Sequence, residues 1–248
     1  MPGVTNLQTA FTSPEEKRQY VRKLFATIAD RYDFITVVLS FGLDRSWKRR
    51  LAREARLQTG ERVIDVACGT GDIAFEAALY GAEVIGLDVT PRMIELARAK
   101  AGLAKTDGVW PVPHFTVGDM MALPFQDASA DVITTGYGLR NVPGLVEATD
   151  EIARVLKPGG RLLSLDFNRP RQPLILKAYL GYLTIVGSTL GWLLHRDPDT
   201  YRYIPESVRR YPGAGGVADL LRAHGFEEVR VVPVFGGFMT LHLARRQA

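Results

Sequence analysis

The chain has 248 residues, 46% hydrophobic and 23% charged, a balance that suits a packed globular protein and excludes disordered, collagen-like and coiled-coil classes. A single cysteine, Cys68, excludes an internal disulfide and points to a reducing compartment. The 31 Lys+Arg against 27 Asp+Glu leave a net charge of +4, compatible with an anionic partner but identifying none.

The opening MPGVTNLQTAFTSPEEK lacks the basic-then-apolar pattern of a secretory leader, so a cytoplasmic location is expected. Residues 1–14 read as a loose tail. From Glu15 onward, Val21, Leu24, Phe25, Ile28 and Tyr32 recur at helical spacing. A second helix starts near Asp44, an acceptable N-cap, and runs through Trp47 and Leu51. Short β-branched runs then alternate with helical ones. Strands are predicted at 62–67, 83–87, 114–117, 131–135 and 161–166, with helices at 72–79, 91–101 and 145–156 between them. After an interruption at 168–212 come a helix at 217–224 and strands at 228–233 and 238–244, joined at Gly236-Gly237. Such alternation implies βαβ crossovers. The expected fold is a doubly wound α/β domain on a seven-stranded, mostly parallel sheet with an antiparallel C-terminal hairpin.

Two segments lie outside that alternation, residues 1–57 and 168–212. The first is expected to form a helical cap and the second a substrate lid. Residues 178–194 are the most apolar stretch, slightly short for a membrane span and interrupted by three glycines, so a buried or interfacial segment is expected.

The candidate chemistry sits at strand ends, where open α/β sheets bind ligands. The first strand runs into Asp65-Val66-Ala67-Cys68-Gly69-Thr70-Gly71-Asp72, whose glycines allow close approach to a ligand. An ordinary strand-to-helix turn would read the same way. Asp88 closes the second strand, where a carboxylate can accept from ribose hydroxyls, although a plain helix cap is the simpler alternative. Asp119 and Met120 follow the third strand, at the place of an adenine amine. Asp65 and Asp72 would repel a pyrophosphate but suit the cationic tail of S-adenosylmethionine. The turn Leu156-Lys157-Pro158-Gly159-Gly160 is also more typical of methyltransferases than of dehydrogenases. Cys68 is expected to be a small residue that fits its loop, with no nucleophilic role.

Longer motifs add to this: Arg31-Tyr32-Asp33 with Ser40-Phe41-Gly42 and Trp47-Lys48-Arg49, Leu123-Pro124-Phe125, Gly138-Leu139-Arg140-Asn141-Val142, and Tyr203-Ile204-Pro205-Glu206-Ser207-Val208. With these, residues 18–245 resemble the ubiquinone/menaquinone biosynthesis C-methyltransferases, class I enzymes that use S-adenosylmethionine. The resemblance implies methyl transfer to a ring carbon of a prenylated quinol, of the demethylmenaquinol or polyprenyl-benzoquinol type. Such a carbon becomes nucleophilic when a neighbouring hydroxyl loses its proton, so a group that stabilises the phenolate is needed. Arg140 can do so, Asn141 can orient a hydroxyl or a water, and Tyr32 can reach across from the cap. A salt bridge from Arg140 to Glu147 is the simpler alternative. No histidine is an obvious base.

Thr36 stands where the family usually has Asn, and Gly136 where many members have Ser. Both are placed near the acceptor pocket, so another small aromatic or natural product is the alternative acceptor. A dinucleotide oxidoreductase would share the glycine turn. No metal site and no nucleic-acid partner are expected. Peripheral membrane contact is expected through the apolar run and through Arg45, Lys48, Arg49, Arg50, Arg53 and Arg56. Ion pairing to Glu54 on a solvated face would explain those residues equally well. A homodimer is the remaining partner expectation.

Overall fold

The computed structural model describes residues 7, 9–108 and 111–248. Seven strands form one sheet: β1 (Arg62–Val66), β2 (Glu83–Asp88), β3 (His114–Val117), β4 (Ala130–Gly136), β5 (Leu156–Phe167), β6 (Phe226–Val234) and β7 (Met239–Arg246). Their order is β3-β2-β1-β4-β5-β7-β6. All pairings are parallel except those of β7, which runs antiparallel to both β5 and β6. The β-branched runs of β1 and β4 are buried on both faces, as a covered parallel sheet requires. One hydrophobic cluster, with Leu51, Val63, Ala74 and Val132, fills one side; another, with Ile64, Ile133, Ile152 and Leu162, fills the other.

Helices α4 (Asp72–Ala78), α5 (Pro91–Thr106), α6 (Leu145–Val155) and α9 (Gly213–Ala223) flank the strands. The Leu156-Lys157-Pro158-Gly159-Gly160 stretch, expected as a turn, is the kinked start of β5, and the register against β4 shifts there. The chain passes from β1 to β2 and β3 on one side, then returns to β4 on the other. The switch point lies between the carboxyl ends of β1 and β4, where ligand crevices form.

Above that edge stand α1 (Pro14–Ile28), a short 3-10 turn, α2 (Tyr32–Leu39) and α3 (Asp44–Glu54). Ser13 caps α1 by accepting from the Glu16 amide at 3.2 Å. Asp44 is not the N-cap expected of it: Leu43 holds that position, and the Asp44 carboxylate turns inward. The segment between β5 and α9 folds into α7 (Pro173–His195) and α8 (Tyr203–Arg210). A third cluster joins the two segments, with Tyr20, Leu24 and Ile28 of α1 packed against Tyr201 and Tyr203. Tyr203 stacks between Tyr20 (5.4 Å between centroids) and Phe11 (5.6 Å). Residues 1–6 and 8 of the expected loose tail lie outside the described residues, but Ala10 and Phe11 belong to this cluster and are packed down.

Candidate active site

Two cavities open at the sheet edge and share a wall made by Phe25, Tyr32 and Tyr137. The first lies over the ends of β2, β3 and β4 and is lined by Gly69, Asp88, Thr90, Asp119, Met120 and Asn141, with Leu87, Met93 and Val142 supplying apolar surface. The second is an apolar chamber between the cap, α7 and the β6–β7 turn. Aromatic and aliphatic side chains line it, and Arg140 contributes its charge.

The loop after β1 is held by Asp88. Its Oδ2 accepts from the Gly69 amide at 2.9 Å and its Oδ1 from the Thr90 amide at 2.8 Å. Burial raises the Asp88 pKa, against the pull of these amides. Asp88 therefore faces the cavity and fixes its loop as well. Gly69 has φ +56°, and a Cβ there would lie 3.7 Å from the Tyr32 ring. Gly71 has a packing reason: at φ +91°, its Cβ would come within 2.6 Å of Phe115. Thr70 donates to Asp33 Oδ1 at 2.6 Å. Asp119 accepts from the Met121 amide at 2.9 Å and pairs with Arg18 at 3.5 Å, and Met120 is buried beside it.

Asp65 and Asp72 differ from expectation. Asp65 is fully buried beneath the loop, lines neither cavity, and accepts from Thr134 at 2.8 Å, while its Oδ2 has no hydrogen-bond partner. Burial pushes its pKa up to about 7. Asp72 is neutralised by Lys48 at 2.9 Å and Lys100 at 3.3 Å; these lysines outweigh its burial and hold its pKa below the usual range. Neither presents a free carboxylate to a ligand, so neither would repel a pyrophosphate.

A buried polar network not foreseen from sequence spans the cap and the sheet. The Tyr137 hydroxyl donates to Asp44 Oδ1 at 2.7 Å, and Lys48 bridges Asp44 (2.6 Å) and Asp72. Lys100 joins Asp72 to Asp33 at 2.7 Å. Lys48 is thus an internal ion-pair partner, removed from the basic surface expected of α3. The i,i+4 spacing of Asp44 and Lys48 was a visible signal; their partners across the fold were not. Arg49 reaches Glu76 at 3.9 Å, not Glu54.

Arg140 and Asn141 follow β4 and face different cavities, Arg140 the apolar chamber and Asn141 the sheet-edge cavity. The Arg140 partner is Asp166 on β5, not Glu147. Its Nε lies 3.1 Å from Asp166 Oδ1, and its backbone amide donates to Asp166 Oδ2 at 3.1 Å. Burial outweighs this pairing and raises the Asp166 pKa. One terminal nitrogen of Arg140 donates to Asn141 Oδ1 at 2.9 Å and to Ser207 Oγ of α8 at 3.0 Å. The guanidinium also lies 4.7 Å over the Phe167 ring. Asn141 Nδ2 in turn donates to the Tyr137 carbonyl at 2.6 Å.

Lys17 of α1, also unforeseen, donates to the carbonyls of Arg140 (3.2 Å) and Val142 (2.5 Å) and ties the cap to this loop. Its burial, with Arg140 nearby, lowers its pKa to about 8. Tyr32 stands in the shared wall, edge-on to Phe25 at 6.0 Å. Thr36 lines the apolar chamber, but Gly136 borders the sheet-edge cavity, where a Cβ would strike Ile73 at 2.6 Å. Gly136 is therefore no guide to the acceptor.

Comparison with known proteins decides the class. The profile of the ubiE/COQ5 methyltransferase family matches residues 13–246. The chain belongs to that family. The demethylmenaquinone methyltransferase of Deinococcus radiodurans is 41% identical, with 86% of this chain and 87% of that protein aligned. The ubiquinone/menaquinone biosynthesis C-methyltransferase UbiE of Zymomonas mobilis is 35% identical over 93% of each chain. Among solved structures, a SAM-dependent methyltransferase of Thermotoga maritima, described as a possible histamine N-methyltransferase, superposes with a TM-score of 0.64 at 18% identity, covering 92% of this chain and all of that one. Another, from Aquifex aeolicus, gives 0.57 at 18% identity over 80% and 89%.

This family member is a methyltransferase of the S-adenosylmethionine-dependent class. Its sheet-edge cavity fits that donor on its own terms. Asp88 keeps carboxylate lone pairs beyond its two amides, and Leu87, Met93, Met120 and Val142 offer apolar surface to a flat base. Among the described residues no group of His, Cys, Asp or Glu could hold a metal ion.

Proposed function

We propose that this protein methylates a ring carbon of a reduced, prenylated quinol, of the demethylmenaquinol or polyprenyl-benzoquinol type, in quinone biosynthesis. The observation that carries the reading is the shared wall. A cavity suited to the donor abuts an apolar chamber at Phe25, Tyr32 and Tyr137, and one buried cation, Arg140, faces the chamber side. S-adenosylmethionine, when bound, supplies an electrophilic methyl group. The chain's own residues do the rest.

Asp88, Asp119, Met120 and the Gly69–Thr70 loop bind and orient the donor; Asp65 and Gly71 support that loop from beneath. Arg140 stabilises the acceptor's phenolate oxygen, whose proton passes to solvent before the acceptor is enclosed, and this raises electron density at the ring carbon. Asn141 and Ser207 aim the guanidinium, and Tyr32 closes the wall beside the ring. The aromatic lining keeps water out and strengthens the Arg140 interaction. The cap (residues 1–57) and the insert (168–212) act together as the lid of one domain, as their common cluster around Tyr203 supports.

An apolar tail must come from a lipid phase, and the outer side of α7 suits one. The helix is long and apolar enough to cross a membrane by length and composition. Here, however, it packs through Leu180, Leu183, Gly187 and Gly191 and presents Ile185 and Trp192 outward, 70% and 63% exposed. We assign peripheral contact, from the cytoplasmic side, to this face. A homodimer would draw on the same surface, so a doubled mass in light scattering would count against lipid docking there.

The decisive experiment incubates the protein with isotope-labelled donor and a panel of reduced quinols and small phenols, followed by mass spectrometry. Label on a ring carbon of the prenylated quinols is expected. Label only on tail-less phenols would replace this reading with the alternative acceptor, a small aromatic.

A further inference from the structure

Where an acceptor enters the apolar chamber is written in its two exposed lining residues, Phe41 and Phe235, at 61% and 42%. Every other residue of that lining is buried or half-buried. The two rings lie 6.0 Å apart, Tyr182 of α7 stacks on Phe41 at 5.9 Å, and Trp47 backs Phe235 at 5.6 Å.

The backbone at both positions is unusual. Phe41 has φ +53° and Phe235 φ +49°, in the left-handed region where a bulky side chain is an outlier. At Phe41 the reason is local. The Gly42 amide donates to the Val37 carbonyl at 2.8 Å, and the Phe41 amide to the Val38 carbonyl at 3.2 Å. That pattern ends a helix with the residue after the C-cap in the left-handed conformation, a position usually filled by glycine. A phenylalanine occupies it here, with a glycine directly following. The second turn repeats the arrangement, since Phe235 precedes Gly236 and Gly237 at the β6–β7 tip.

Two separate turns thus place an aromatic ring at a conformational cost, and both rings meet at the chamber mouth. We propose that Phe41, Tyr182 and Phe235 form an aromatic gate through which the apolar tail of the acceptor leaves the chamber, making these residues determinants of specificity for tailed over tail-less acceptors. The inference rests on the quinol reading. A ring held at the shared wall near Arg140 directs its substituent towards this exposed side of the lining. Val37 and Leu43, close to Phe41 in the cap, and Ile185, one turn along α7 from Tyr182, are also exposed apolar residues.

The test compares wild type with Phe41→Gly and Phe235→Gly, using reduced demethylmenaquinone carrying several isoprene units and its tail-less analogue, both in detergent. The ratio of kcat/KM for the tailed over the tail-less acceptor should fall about tenfold or more, the scale at which apolar contacts discriminate, mostly through KM. Phe41→Gly should melt no lower than wild type, because glycine suits φ +53°. A merely structural Phe41 would give the reverse, lower stability with an unchanged ratio. If wild type methylates the tailed quinol and both variants keep its ratio, the gate is overturned alone. If wild type methylates no prenylated quinol, the acceptor reading falls and the gate with it.

Discussion

Arg140 is held by Asp166, Asn141 and Ser207 while facing the chamber, so its truncation mixes two effects. Arg140→Ala leaves the Asp166 carboxylate buried and unpaired, and removing one partner of a buried pair costs about 3–5 kcal/mol. Loss of activity in that variant would say little about catalysis. The double variant Arg140→Met with Asp166→Asn removes both charges, so we expect chemical denaturation to place it within about 2 kcal/mol of wild type, with turnover still lowered by at least about a hundredfold. Turnover near wild type in that stable double variant would take Arg140 out of the mechanism. Asp65 provides a second residue-scale prediction. Its folded pKa near 7 lies above its ordinary value of 3.8, so it binds a proton more readily folded than unfolded. Its contribution to stability is complete below pH ~4 and is lost as pH rises through 7. Asp65→Asn removes this dependence, so the difference in unfolding free energy between that variant and wild type should shift in the variant's favour between pH 5 and pH 8. A constant difference, measured by urea melts at both pH values, would contradict it.

Elements of strong periodicity were legible in the sequence, and short ones were not. All seven strands overlap the predicted runs, and β1, β2 and β4 read most plainly because a central strand covered on both faces is near-continuously apolar. Helices α2 and α8, eight residues each, gave too few turns to show a stripe. In α8 the Tyr203-Ile204-Pro205-Glu206-Ser207-Val208 stretch was visible only as a family motif. Its structural reason is that Tyr203 fills the core between cap and insert while Ser207 holds Arg140. We therefore expect Tyr203→Ala to cost roughly 3–5 kcal/mol and to speed amide exchange in both α1 and α8, with the central strands protected as before. Faster exchange confined to α8 would show that the cap and the insert are energetically independent.

Across the whole molecule, the candidate site divides by how far apart its parts lie in sequence. Strand-end residues such as Asp88, Gly69 and Asp119 could be read from local pattern. Pairings such as Lys48–Asp72 and Arg140–Asp166 could not, because each joins elements that meet only after the sheet has formed. The proposed membrane contact has two candidate surfaces, the apolar run that forms α7 and the basic run of α3. The basic run 45–56 suggested electrostatic attachment, yet Lys48 is buried within the protein, and the largest apolar exposure falls on α7. Attachment through α7 depends on burying hydrocarbon surface and is insensitive to screening, whereas attachment through Arg49 and Arg53 weakens as salt shortens the Debye length. We expect flotation with neutral phosphatidylcholine vesicles to retain the protein equally at about 0.1 and about 0.5 M salt. Ile185→Ser with Trp192→Ser should abolish retention without lowering the melting temperature, since both side chains are already in water, and Arg49→Glu with Arg53→Glu should leave it intact. Retention seen only with anionic vesicles at low salt, and lost in the arginine variant, would return the docking surface to α3.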